Sequence, residues 1–284
     1  MEGQACGAAT IVRTRHGSSL EETLPVDAVV PQSEILDAIS ANILQGSNGG
    51  IGYYVGKDPA FAPEPFTALY RRSLYQSMRS LADQSLGLLQ KRLKRFPEEV
   101  QEHAAELLTL ETEIFNRCRQ LVERKIGGMR IRCHGDYHLG QVLYTGKDFV
   151  IVDFEGEPSR SLSERRFKRS PLRDVAGMIR SFHYASYSTL LQDQFGTQKQ
   201  EDDMREWAEV WFHHISRFFI QGYLEQVKAN DFIPQEEGDL KILLDTFLLE
   251  KAVYELNYEL NNRPDWVLIP LRGIKSIIKR YNHD

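Results

Sequence analysis

Cysteine is scarce in this chain. Its 284 residues include three, Cys6, Cys118 and Cys133. An odd number at wide spacing forms neither a disulfide framework nor a paired metal-ligand motif. Positive charge is not in excess either. The formal net charge is −5, whereas a general nucleic-acid binder carries a basic surface. The opening "MEGQACGAATIVRTRHG" lacks the apolar core of a secretory signal, and no run reaches the length of a membrane span. Internal repeats and low-complexity tracts are absent as well. The expectation is a cytoplasmic protein of a reducing compartment, with neither a membrane nor a nucleic acid as partner.

What remains is ordinary for a globular protein: 42% apolar and 26% charged residues. Residues 1–62 are rich in Gly, Ala, Ser and Pro. They hold one short helical candidate, "SEILDAISANIL", then "GSNGG" and the Pro-punctuated "KDPAFAPEPF", which reads as a linker. From residue 63 the periodicity turns helical, with Leu69, Leu74, Met78 and Leu81 at helical spacing. Pro97 opens a second helical run over 98–125, with acids early and bases late. Four further helices are predicted, over 170–192, 202–228, 239–262 and 264–281. Between them lies one hairpin: "QVLY" and "DFVIVDF" are short, β-branched and aromatic, and "TGKD" has turn composition.

The chemistry collects around that hairpin, in "IRCHGDYHLGQVLYTGKDFVIVDFEGEP" at 131–158. Asp136 sits in the loop before the first strand, Gln141 follows five residues later, and Asp153 ends the second strand. A tight turn brings the strand ends together, so these three groups converge on one edge. A carboxylate, an amide and a second carboxylate suit phosphoryl transfer from a metal-bound nucleotide. One acid orients the attacking hydroxyl and takes its proton, while the other acid and the amide hold Mg²⁺ across the phosphates. Asp and amide five positions apart, followed by a strand-end Asp, is the protein-kinase arrangement, here with Gln in place of Asn.

Those motifs, "HGDYHLGQVLY" followed by "IVDFEGEP", resemble the kinase-like phosphotransferases of small molecules, such as the aminoglycoside and choline kinases. The resemblance is greatest to the maltokinase family, including the maltokinase part of trehalose synthase fusions. It runs on through "PFTALYRRSLYQSMRSL", "RSPLRDVAGMIRSFHYA" and "EKAVYELNYELNNRPDWVLIPLRGI". It implies an α+β, protein-kinase-like fold: a mostly helical C-terminal lobe over 63–284 with the small embedded hairpin, preceded over 1–62 by the remnant of an N-terminal lobe. ATP and Mg²⁺ are the implied cofactors, maltose or a similar small sugar the acceptor, and maltose 1-phosphate the product.

The same resemblance assigns roles. Asp136 becomes the catalytic base, and Asp153, Gln141 and Glu155 the metal-side groups. His138 contacts substrate, His134 braces the loop, and Asp174 stands nearby in a structural role. For the sugar it offers Glu255, Tyr258, Glu259 and Arg263 in "YELNYELNNRPDW". The phosphate-covering loop of a complete kinase is not in evidence. "GSNGGIGYYVGK" fails the G-x-G-x-x-G pattern, because Val55 stands where the third Gly belongs, and no lysine can be assigned to the nucleotide.

Two rival readings accompany this one. An aminoglycoside-type phosphotransferase would gather carboxylates around cationic amines, and a non-catalytic lobe would dock a trehalose-metabolism partner. The basic run Arg165, Arg166, Lys168 and Arg169 reads as a solvated loop. The adjacent His213 and His214 point in different directions and make no metal pair. Trp207, Trp211, Phe218 and Phe219 read as a core-facing stripe.

Overall fold

Thr67 opens the first long helix, its hydroxyl accepting a hydrogen bond from the Tyr70 N–H. That helix, α1 (Ala68–Arg92), begins the helical body of the protein in a computed structural model. The structure describes residues 10–15, 18–23, 62–146, 149–157, 161–192, 198–227 and 231–279. Before α1 lie an antiparallel pair, β1 (Thr10–Arg15) and β2 (Ser18–Thr23), and the short β3 (Glu64–Pro65). The helical candidate over 33–44 and the Gly-rich segment at 46–57 fall outside the described residues.

The helical run expected over 98–125 is two helices, α2 (Glu98–Thr109) and α3 (Glu111–Glu123). Thr109 turns its hydroxyl back onto the Glu106 carbonyl, which competes with the helical ladder. The Leu110 N–H closes onto Leu107 instead of continuing the α pattern, and Glu111 and Glu113 occupy the first turn of the new helix. The chain then passes through β4 (Met129–Arg130), paired with β3, and enters the loop that carries Asp136.

The hairpin is β5 (Val142–Tyr144) against β6 (Phe149–Ile151), in the register Val142↔Ile151, Leu143↔Val150 and Tyr144↔Phe149. After it come a one-turn helix, α4 (Leu162–Arg165), and four long helices: α5 (Leu172–Gln192), α6 (Gln198–Val227), α7 (Glu237–Asn262) and α8 (Leu268–Lys279). The body is built around α5 and α7, which pack on each other, with α6 against α5 and α1, α3 and α8 against α7.

One core runs through all of these helices except the one-turn α4. On α1 the buried stripe is Leu74, Met78, Ala82, Leu86 and Leu89, one turn later than expected, because Leu69 is exposed. The aromatic stripe of α6 divides in the same way. Phe219 is fully buried and Trp211 packs against the core, whereas Trp207 and Phe218 face solvent. No helix among the described residues is long and apolar enough to cross a membrane.

Candidate active site

His134 organises the loop. Its Nδ1 accepts from the Asp136 N–H at 3.4 Å, which places the ring proton on Nε2, and that proton goes to the Val152 carbonyl at 2.8 Å. The buried imidazole thereby ties the Asp136 loop to the residue just before Asp153. From below, Asp174 in the first turn of α5 accepts the His134 N–H at 2.7 Å and the Gly135 N–H at 3.0 Å. Burial pushes the Asp174 carboxyl above its ordinary value, with the His134 and Gly135 contacts opposing. α5 also approaches the loop at Gly177, where a Cβ would lie 2.7 Å from the Tyr137 carbonyl oxygen. Only glycine permits that separation.

Asp136 lies between two donors. Lys251 Nζ stands 3.6 Å from its Oδ1 and His138 Nε2 3.8 Å from its Oδ2. His138 Nδ1 accepts from the Gly140 N–H at 3.1 Å, so the neutral ring presents its Nε2–H toward Asp136. Burial holds the His138 pKa below its usual value. Lys251 pushes in the same direction and Asp136 against it.

Gln141 and Asp153 meet directly, the amide Nε2 donating to Asp153 Oδ2 at 2.9 Å. Asp153 is exposed and has φ 63°, a left-handed backbone that costs a non-glycine residue about 1–3 kcal/mol. Glu155 is exposed on the bend just beyond it. A carboxylate and an amide oxygen on a shaped edge are hard donors suited to Mg²⁺, which takes few protein ligands and completes its shell with water and phosphate oxygens. Among the described residues no three His, Cys, Asp or Glu side chains gather to hold a metal, so phosphate oxygens would have to complete the site.

The cleft beside Asp136 is narrow, about 40 Å³, and Glu157, Lys251 and Tyr254 line it. Tyr254 donates its hydroxyl to Glu157 at 3.2 Å. Residues 247, 250, 251 and 254 form the stripe of α7 that faces this cleft, and Tyr258 continues it one turn on, half exposed. Glu255 and Glu259 are placed differently. Glu255 is buried against Arg180, with Nε 2.8 Å away. Glu259 accepts from Arg263 at 2.6 and 2.9 Å and from the Tyr184 hydroxyl at 3.0 Å. Arg263 lies over the Trp266 ring at 4.6 Å.

Lys251 was missed in the sequence. It lies 115 positions from Asp136, and no local spacing connects them. Only the docking of α7 against the loop brings them together.

No protein-family profile matches the chain. Two curated relatives are both glucosamine kinases. That of Streptacidiphilus jiangxiensis is 25% identical over 151 residues, 52% of this chain and 32% of the relative. That of Mycolicibacterium smegmatis is 36% identical over 148 residues, 51% of this chain and 34% of the relative. The match thus spans about a third of each relative. Among solved structures, a glucosamine kinase in complex with glucosamine, ADP and inorganic phosphate superposes with a TM-score of 0.68 at 18% identity. It covers 90% of this chain and 56% of its own. A second crystal form gives 0.68 at 19%, over 89% and 55%. The described residues therefore share the fold of those structures. None of these names mentions maltose or trehalose.

Proposed function

We propose that this chain forms the catalytic-loop side of a kinase-like sugar phosphotransferase, which moves the γ-phosphate of ATP to a hydroxyl of a small amino sugar. The observation that carries the reading is the placement of Asp136 between Lys251 and His138, with the Gln141–Asp153 pair on the adjoining hairpin edge. Asp136 orients the acceptor hydroxyl and takes its proton as the new phosphate ester bond forms. Lys251 and His138 flank the carboxylate, one beside each oxygen. Asp153 and Gln141 would hold Mg²⁺, which supplies charge neutralisation on the phosphoryl oxygens.

An amino sugar is preferred to maltose because the relatives and solved neighbours named above are glucosamine kinases. The test is transfer of labelled γ-phosphate from ATP to glucosamine, glucose and maltose in the presence of Mg²⁺. Transfer to glucosamine that Asp136→Asn abolishes is the expected result. Faster transfer to maltose, or turnover that survives Asp136→Asn, contradicts the proposal.

A further inference from the structure

A large cavity in the protein does not contain Asp136. It measures about 1080 Å³ and lies between α1, β4, α7 and the segment around 164–169. Five cationic side chains line it: Arg130, Arg132, Arg166, Lys168 and Arg169. Such a concentration stands out in a chain whose net charge is −5.

The three carboxylates that share the lining are already engaged. Glu64 is held by Arg130 at 2.7 Å and Lys168 at 2.9 Å, and the bond to Lys168 keeps its carboxyl below the usual range. Glu164 closes the α4 capping box, accepting from the Ser161 N–H and hydroxyl. Glu250 takes both its bonds, each 2.8 Å, from Arg173. Among the described residues neither Arg132 nor Arg166 meets a carboxylate, and Arg132 donates only a long bond, 3.4 Å, to the Arg165 carbonyl. Two guanidinium groups therefore face a roomy, half-open cavity with most of their donors unused. Planar guanidinium forks match phosphate oxygens in pairs. Phe167, 59% exposed at the same cavity, adds an apolar plane beside them.

We infer that this cavity is a binding site for a small phosphorylated molecule, with Arg132 and Arg166 as its principal phosphate contacts. The site is separate from the catalytic cleft. The two cavities share only Glu250 in their linings, so the Arg173–Glu250 ion pair stands between them. Arg173 immediately precedes Asp174, which anchors the catalytic loop. Arg166, Lys168 and Arg169 of the basic run thus form one wall of a shaped cavity, where the sequence suggested a solvated loop.

Calorimetric titration of the full chain with inorganic pyrophosphate in EDTA tests this. Without a divalent cation nothing bridges the phosphates to Asp153 and Gln141, so heat reports the basic cavity. One equivalent should bind, and raising the salt should weaken it. Arg132→Gln combined with Arg166→Gln should reduce affinity by about tenfold or more, and Asp153→Asn should leave it unchanged. Arg166→Glu alone, at an exposed position that does not threaten folding, should also weaken it. No binding, binding that survives these arginine variants, or binding lost in Asp153→Asn would overturn the inference.

Discussion

The hairpin edge and the α5–α7 seam both gather acidic side chains, and they do so on opposite plans. At the edge, Asp153 is exposed on irregular backbone and bonded to Gln141, with Asp136 held loosely between the Lys251 ammonium and the neutral His138 ring. At the seam, Glu255 and Glu259 are buried in a regular helix, each closed on an arginine. Arg180, 2% exposed, finds room because Gly273 on α8 carries no side chain where its guanidinium lies. An open, under-committed acid can bind something new, whereas a buried and paired acid mainly holds helices together. The difference teaches that acidic composition alone does not mark a site. What marks it is charge left available.

Breaking the seam should have the largest effect on stability. Glu255→Gln leaves the Arg180 guanidinium buried with no counter-charge, which should cost about 3–5 kcal/mol in urea unfolding. A loss below about 1 kcal/mol would place this pair with exposed ion pairs and remove the contrast. Gly177→Ala comes next. Its Cβ must displace the Tyr137 carbonyl, so unfolding should be easier by about 1–3 kcal/mol, and phosphate transfer should fall as the loop moves.

Lys251→Met tests the edge. With Lys251 partly exposed, its pairing with Asp136 should contribute under about 1 kcal/mol to stability, yet transfer should drop about tenfold or more. Equal losses in both would make Lys251 a structural residue.

The smallest effect is in the titration of His138, followed by NMR. Its midpoint should lie below the ordinary histidine value. Lys251→Met removes a repelling cation and should move it up. Asp136→Asn removes a favourable anion and should move it further down. Opposite signs would mean that neither group faces the ring.

These contrasts also explain what could be read from the sequence. The hairpin and the convergence of Gln141 and Asp153 were legible because short-range spacing and strand periodicity determine them. The long helices were legible for the same reason, apart from the break at Leu110, where a Thr hydroxyl competed with the ladder. Leu69, Trp207 and Phe218 carried apolar side chains at plausible spacing, but tertiary docking left them outside the core. Lys251 and the pairing of Glu255 with Arg180 depend on how α7 meets α5 and the loop, and local periodicity says nothing about that register. The basic cavity was not legible because its arginines come from two segments more than thirty positions apart, which the bridge between Ile131 and Arg169 brings side by side.

The most direct measurement of the central claim pairs two variants in two assays: γ-phosphate transfer from ATP to glucosamine, and urea unfolding. The account predicts that Asp136→Asn loses transfer by at least about a hundredfold while its stability changes by less than about 1 kcal/mol. Glu255→Gln should lose stability first. Asp136→Asn that keeps its transfer rate, or loses it only by unfolding, would contradict the assignment of the hairpin edge as the reacting centre.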